Sequence, residues 1–147
     1  MVVEVRFDGN QELRKLVRDF GKLPAELRKE LRPALKRGAQ PILTQARSNA
    51  SWSTRIPKAT RISTKFQGRR GGVVIAVSAK RAPHARPYEG ISGSPFRHPV
   101  YGHRDRPGVA QAARPFLFRA VEAKGGEVTK ELAKTVIEVG RKHGWDR

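Results

Sequence analysis

The chain has 147 residues, 31 Lys plus Arg against 13 Asp plus Glu, a formal net charge of +18 and no cysteine. Its length suits one domain, residues 1–147, with a core that needs no staple, and the missing thiols exclude a disulfide scaffold, a zinc-thiolate or iron-sulfur centre and a cysteine nucleophile. The charge is uneven: residues 51–119 hold 14 basic side chains against only Glu89 and Asp105, a balance of +12, so the middle of the chain is the part that faces a polyanion or an acidic partner.

Val3, Val5 and Phe7 alternate with Glu4 and Arg6, the period-2 pattern of a half-buried strand, which Asp8-Gly9-Asn10 ends. Asn10 caps a predicted helix with Leu13, Leu16, Val17 and Phe20 on one face and Gly21 at its close. The first ten residues lack the basic and apolar regions of a signal peptide, and no apolar run approaches the roughly 20 residues that span a bilayer. A soluble protein without membrane contact, intracellular when made, is expected.

Leu27, Leu31, Ala34, Leu35, Gly38, Ile42 and Ala46 keep one helical face, interrupted by Pro33 and Pro41. Each proline removes a backbone hydrogen bond, so kinks or consecutive short helices with their apolar faces in phase are predicted. Two strand-like runs follow, residues 61–66 and 73–77, joined by Gln67-Gly68-Arg69-Arg70-Gly71-Gly72, and this reads as an antiparallel hairpin with a basic tip. Residues 79–114 carry five prolines, four glycines and three of the four histidines and show no regular period, so an extended loop or arm is predicted there. Pro115 then opens a helical segment through Phe116, Leu117, Ala120 and Val121, and Val128, Leu132, Val136 and Val139 continue it beyond Gly125-Gly126, where it should bend or break.

Little in the chain points to catalysis. His103-Arg104-Asp105 copies the start of a kinase catalytic loop without a glycine-rich loop, strand lysine or downstream Asn. His84, His98 and His103 match no metal-ligand spacing, and with only Glu89 and Asp105 as carboxylates in the middle region a two-metal site would lack ligands. No phosphate-binding loop, nucleophile elbow or dinucleotide fingerprint occurs, so neither an enzyme nor a cofactor is expected. The basic 55–106 region, with Tyr88, Phe96 and Tyr101 among Arg86, Arg97 and Arg104, has the side chains for sequence-independent nucleic-acid binding.

The helical block from Leu23 to Ala50, closing on Ile42-Leu43-Thr44-Gln45-Ala46-Arg47, resembles the long helix of the tail-component family of long, non-contractile-tailed bacteriophages. Pro83-His84-Ala85-Arg86-Pro87-Tyr88-Glu89-Gly90 is similar to that family's Tyr/Ala-x-x-Glu-x-Gly segment, and Ala113-Arg114-Pro115-Phe116-Leu117 to the Arg-Pro-Phe-Leu motif that opens its last helix. The chain departs from the family where Ser53-Thr54-Arg55-Ile56-Pro57-Lys58-Ala59 stands in place of an Asp-Thr-Gly-x-Leu-x-x-Ser segment.

The resemblance implies a non-enzymatic virion protein of the neck, joining or completing the tail where it meets the head, repeated in a ring and touching other neck and tail proteins, with genomic DNA in the channel as a possible contact. It would be made in the host cytoplasm. Arginine and aromatic side chains are the usual anchors of such interfaces, which makes Arg81, Arg86, Tyr88, Phe96, Arg97 and His98 candidates, together with Tyr101, Arg104 and the hairpin-tip pair Arg69 and Arg70. Arg114 and Pro115 belong to the helix-opening motif, and core packing is the simplest role for Phe116 and Leu117. The expected fold is α+β: an N-terminal strand, a helical block, an antiparallel sheet with a long inserted loop, and a C-terminal helix packed on the sheet. Sequence-independent nucleic-acid binding through residues 55–106 is the alternative function.

Overall fold

The computed structural model describes residues 2–6, 24–66 and 72–144. Strand β1 (Val2–Arg6) is followed by helices α1 (Ala25–Gly38) and α2 (Gln40–Asn49), the single turn α3 (Ile56–Ala59), and strands β2 (Thr60–Lys65) and β3 (Gly72–Ser78). The short helix α4 (Ala85–Glu89), strands β4 (Phe96–His98) and β5 (Val109–Gln111), and the long helix α5 (Leu117–Lys142) complete an α+β arrangement. The helix predicted across residues 10–21 and the hairpin tip at 67–71 lie outside the described residues.

β3 is the central strand and runs antiparallel to both β1 and β2. The register sets Val3 and Val5 of β1 opposite Val77 and Ile75, and Ile62 of β2 opposite Ile75 from the other side. Val74, Ile75, Ala76 and Val77 are all buried, as the unbroken apolar run of a central strand requires. Phe66 falls just past β2, buried, with the Arg32 guanidinium 5.0 Å above its ring.

The two helix-breaking prolines behave differently. Pro33 sits inside α1, which continues past it, whereas Pro41 occupies the first turn of α2, where a missing N–H leaves no intrahelical bond unmade. The chain passes between the two helices at the buried Ala39, and Leu27, Leu31, Leu35, Ile42, Leu43 and Ala46 form one continuous inner face.

α5 runs through Gly125-Gly126 without interruption, so the glycine pair does not break it. Two glycines cost a helix roughly 1 kcal/mol each relative to alanine. Burial of Leu117, Ala120, Val128, Leu132 and Val136 along one face offsets that cost, because tertiary packing supplies most helix stability. The helix packs chiefly against α1 and α2, which in turn meet β2, so its approach to the sheet runs through the helical block. At Gly38 the Leu132 side chain of α5 lies so close to α1 that a Cβ would stand 2.8 Å from its Cδ2. At its C-terminal end, Lys142 Nζ and His143 Nε2 lie 2.7 and 2.6 Å from the Glu30 carboxylate on α1.

Residues 79–114 have more order than their composition suggests. α4 and a two-stranded antiparallel ribbon of β4 and β5 fall inside the segment, with Phe96 opposite Gln111 and His98 opposite Val109. Its prolines stand beside the strands instead of within them, Pro95 just before β4 and Pro99 just after it, so the ladder loses no donor. Among the described residues no helix is long and apolar enough to cross a membrane.

Candidate interaction site

Glu89, one of the two carboxylates in the basic middle of the chain, ends α4 and reaches the start of α5. Its Oε2 accepts hydrogen bonds from the backbone N–H of Phe116 and Leu117 at 3.0 and 3.1 Å, and its Oε1 accepts one from Phe118 N–H at 2.6 Å. The first turn of a helix presents N–H groups with no intrahelical acceptor and the positive end of the helix dipole, so a carboxylate there satisfies both needs. α5 has no cap from its own side chains and no acidic residue in its first turn, so the cap is supplied by a segment distant in sequence. Gly90 adopts φ +85° to turn the chain away, and its neighbour Ala113 is close enough that a Cβ on Gly90 would be 3.5 Å from it. The Tyr88 carbonyl accepts the Arg114 N–H at 2.7 Å, so the Pro83–Gly90 and Ala113–Leu117 segments meet along their backbones as well.

From this junction a ladder of rings runs outward. Trp52 and Tyr88 have centroids 4.5 Å apart with planes tilted by 50°, and Tyr88 meets Phe96 edge-on at 5.1 Å and 82°. His98 continues the row 6.5 Å beyond Phe96, and His84 stands edge-on to Tyr88 at 6.1 Å. The Arg114 guanidinium lies 5.7 Å over the Trp52 ring, a cation-π arrangement. Polar contacts fix the ladder's base: Trp52 Nε1–H donates to the Asn49 carbonyl at 3.0 Å, and Asn49 Nδ2–H donates to the Phe116 carbonyl, also at 3.0 Å. The end of α2, the start of α5 and the inserted segment are thereby held together at one place.

The residues singled out by sequence distribute unevenly over this site. Tyr88, Phe96 and His98 lie in the ladder, the first two half-buried and the last exposed. Arg97, exposed beside them, donates through Nη1 to the Gly108 carbonyl at 2.9 Å and ties β4 to the approach of β5. Arg86 is half-buried on α4, while Arg81 and Arg104 are exposed in turns away from the ring contacts. Tyr101 belongs to the 3-10 turn Val100–Gly102, its side chain lying outside the described set, as do Arg69 and Arg70. Arg114 is exposed over Trp52, Pro115 is half-buried, and Phe116 and Leu117 are wholly buried in the core.

Trp52, His84 and Glu89 also belong to this site, although no pattern in the sequence groups them. Glu89 had a legible signal, a carboxylate isolated in a strongly basic stretch inside a motif, whereas Trp52 sits in a segment without period and nothing local ties it to Tyr88. Burial, with the Arg55 guanidinium nearby, pushes the His84 imidazole below its ordinary 6.5 and favours the neutral ring. His84 Nε2 lies 3.4 Å from Ser53 Oγ. Among the described residues no three His, Asp or Glu side chains converge as metal ligands would, and His103 meets only Asp105, at 3.8 Å on the exposed surface.

A family model for bacteriophage HK97-gp10, a tail component, matches residues 14–89, a little over half of the chain. No curated protein and no solved structure matches.

Proposed function

The chain belongs to the HK97-gp10-like family of bacteriophage tail components, and from that premise we propose that it acts at the neck, completing the tail and joining it to the head as a subunit of a ring. It is a structural protein, and its mechanism is binding to other tail and neck proteins. The observation that carries this reading is the basic 79–114 segment, which contains folded elements of its own and is fastened to the domain by Glu89 on the start of α5. A joining subunit needs a rigid body and an arm that reaches a neighbour in a defined direction, since ordering an arm only on contact would subtract from affinity. A cap across three backbone N–H groups and a ring ladder supply that definition before assembly.

Interface anchors in such a subunit would be Arg86, Tyr88, Phe96, Arg97 and His98, with Arg81 and Arg104 at the rim, Arg and aromatic side chains being those that contribute most when desolvated. Assembly would take place in the host cytoplasm, before the particle is released.

The test is electron microscopy, with composition by mass spectrometry, of particles made by a phage in which this gene is disrupted. Filled heads separated from tails, or tails with defective upper ends, are expected. Intact infectious particles lacking the chain would overturn the joining role.

A further inference from the structure

We propose that the Trp52–Tyr88–Phe96–His98 ladder is a docking surface for an acidic segment of a neighbouring virion protein. The proposal rests on the joining role above and names the chemistry of the partner. Three observations converge on it.

The first is charge. Only Glu89 and Asp105 counter 14 basic side chains across residues 51–119. Both oxygens of Glu89 are taken up by the first turn of α5, and Asp105 lies beside His103. Among the described residues, positive charge around the ladder is therefore left for a partner: Arg114 is held over Trp52 and Arg55 stands near His84, while Arg97 alternates to the other face of β4 and is tied to the Gly108 carbonyl. Carboxylates on the partner would meet these guanidinium groups, which suit planar oxyanions.

The second is exposed apolar surface in the same place. Trp52 is 37% exposed at one end of the ladder, and Val109, opposite His98 in the ribbon, is 49% exposed at the other. A centre of rings with an arginine rim is the composition of a protein-protein contact.

The third is ring geometry, which separates a protein partner from a nucleic acid. Single-stranded nucleic acids bind where aromatic faces lie open for successive bases to stack on. Here Tyr88 is met by Trp52, Phe96 and His84 at 50°, 82° and 89°, so the rings are tilted against one another and present no parallel stack of faces to successive bases. What remains outside is the exposed part of Trp52, the His98 ring and Val109, apolar surface without a row of parallel open faces.

Photo-crosslinking in assembled particles tests this. p-Benzoyl-phenylalanine is placed at His98 in one full-length variant and at Val109 in a second, so that a position that blocks assembly does not end the experiment. Ile137, exposed on α5 and about 30 Å along that helix from Leu117 at roughly 1.5 Å per residue, is the control position. Adducts are mapped by mass spectrometry. The expected result is an adduct from the ribbon positions to a segment of net negative charge in another virion protein, absent from the Ile137 probe.

In a background of Trp52→Ala, with folding checked by circular dichroism, that adduct should fall about thirty-fold, the scale of losing an anchoring aromatic. Adducts to packaged DNA, to a second copy of this chain or to a neutral or basic segment would overturn the proposal while leaving the joining role standing. The same holds if the chain is present in particles and no ribbon adduct exceeds the control. Absence of the unmodified chain from particles would remove the joining role, and this inference with it.

Discussion

At the scale of single residues, Glu89 has the widest consequences. One carboxylate satisfies three backbone N–H groups at the start of α5, that of Phe116 just before it included, and holds α4, the ribbon and the ring ladder against the core. Removing a helix cap costs about 1 kcal/mol, and leaving partners of a charged acceptor unmet costs about 1 to 3 kcal/mol. Glu89→Ala is therefore expected to lower stability by about 1 to 3 kcal/mol in urea unfolding, and Glu89→Gln, which keeps one acceptor oxygen without the charge, by less. Equal losses for both would show that charge at the helix end contributes little. Thr60 plays a smaller part of the same kind: it is buried, its hydroxyl donates to the Ile56 carbonyl at 2.7 Å, and Arg47 Nη2–H donates to its carbonyl at 2.8 Å.

Among the elements, α5 shows how far packing overrides local preference. The glycine pair argues for a break, yet the buried face on either side of it holds one helix across 26 residues. Gly126 points outward, and a Cβ added there meets nothing within 4 Å. Gly126→Ala should raise stability by about 0.5 to 1 kcal/mol, through helix propensity and a less disordered unfolded chain. The same change at Gly38 should lower it, because the new Cβ would stand 2.8 Å from Leu132 Cδ2 and that buried side chain would have to give up its place in the core. Thermal unfolding of the two variants, moving in opposite directions, checks both.

For the molecule as a whole, ionisation couples distant parts of the chain. The His84 imidazole is held below its ordinary 6.5, so the unfolded chain takes up that proton first and stability declines as pH falls below 6.5. Hydrogen bonds from His143 and then Lys142 hold the Glu30 carboxyl below its ordinary 4.5, so its contribution is present above 4.5 and is lost as pH falls through the lowered value. Glu30 is solvent-accessible, which keeps that contribution small. Urea midpoints should therefore fall in two stages from neutral to acid pH. His84→Asn should remove the first stage and Glu30→Gln should shrink the second, and unchanged profiles would exclude these groups as contributors.

The class of fold and the strands and longer helices up to residue 78 could be read from consecutive residues. Period-2 alternation in β1 and β2, the unbroken apolar run of β3, and the helical spacing of Leu27, Leu31, Leu35 and Ile42 are local, and local patterns are written in consecutive residues. The Pro83–Gly90 and Arg114–Leu117 motifs were also legible, with the family they resemble. That these motifs are two halves of one junction follows from the folded chain alone, because Glu89 meets N–H groups 27 to 29 residues away in sequence. The same is true of Trp52, which gains its meaning from Tyr88 and Arg114, and of residues 79–114, whose short strands have each other as ladder partners. A strand of three residues leaves too short a period to read, and a cap supplied from another segment leaves no local trace. Contacts of that kind exist only once the core has brought distant segments together.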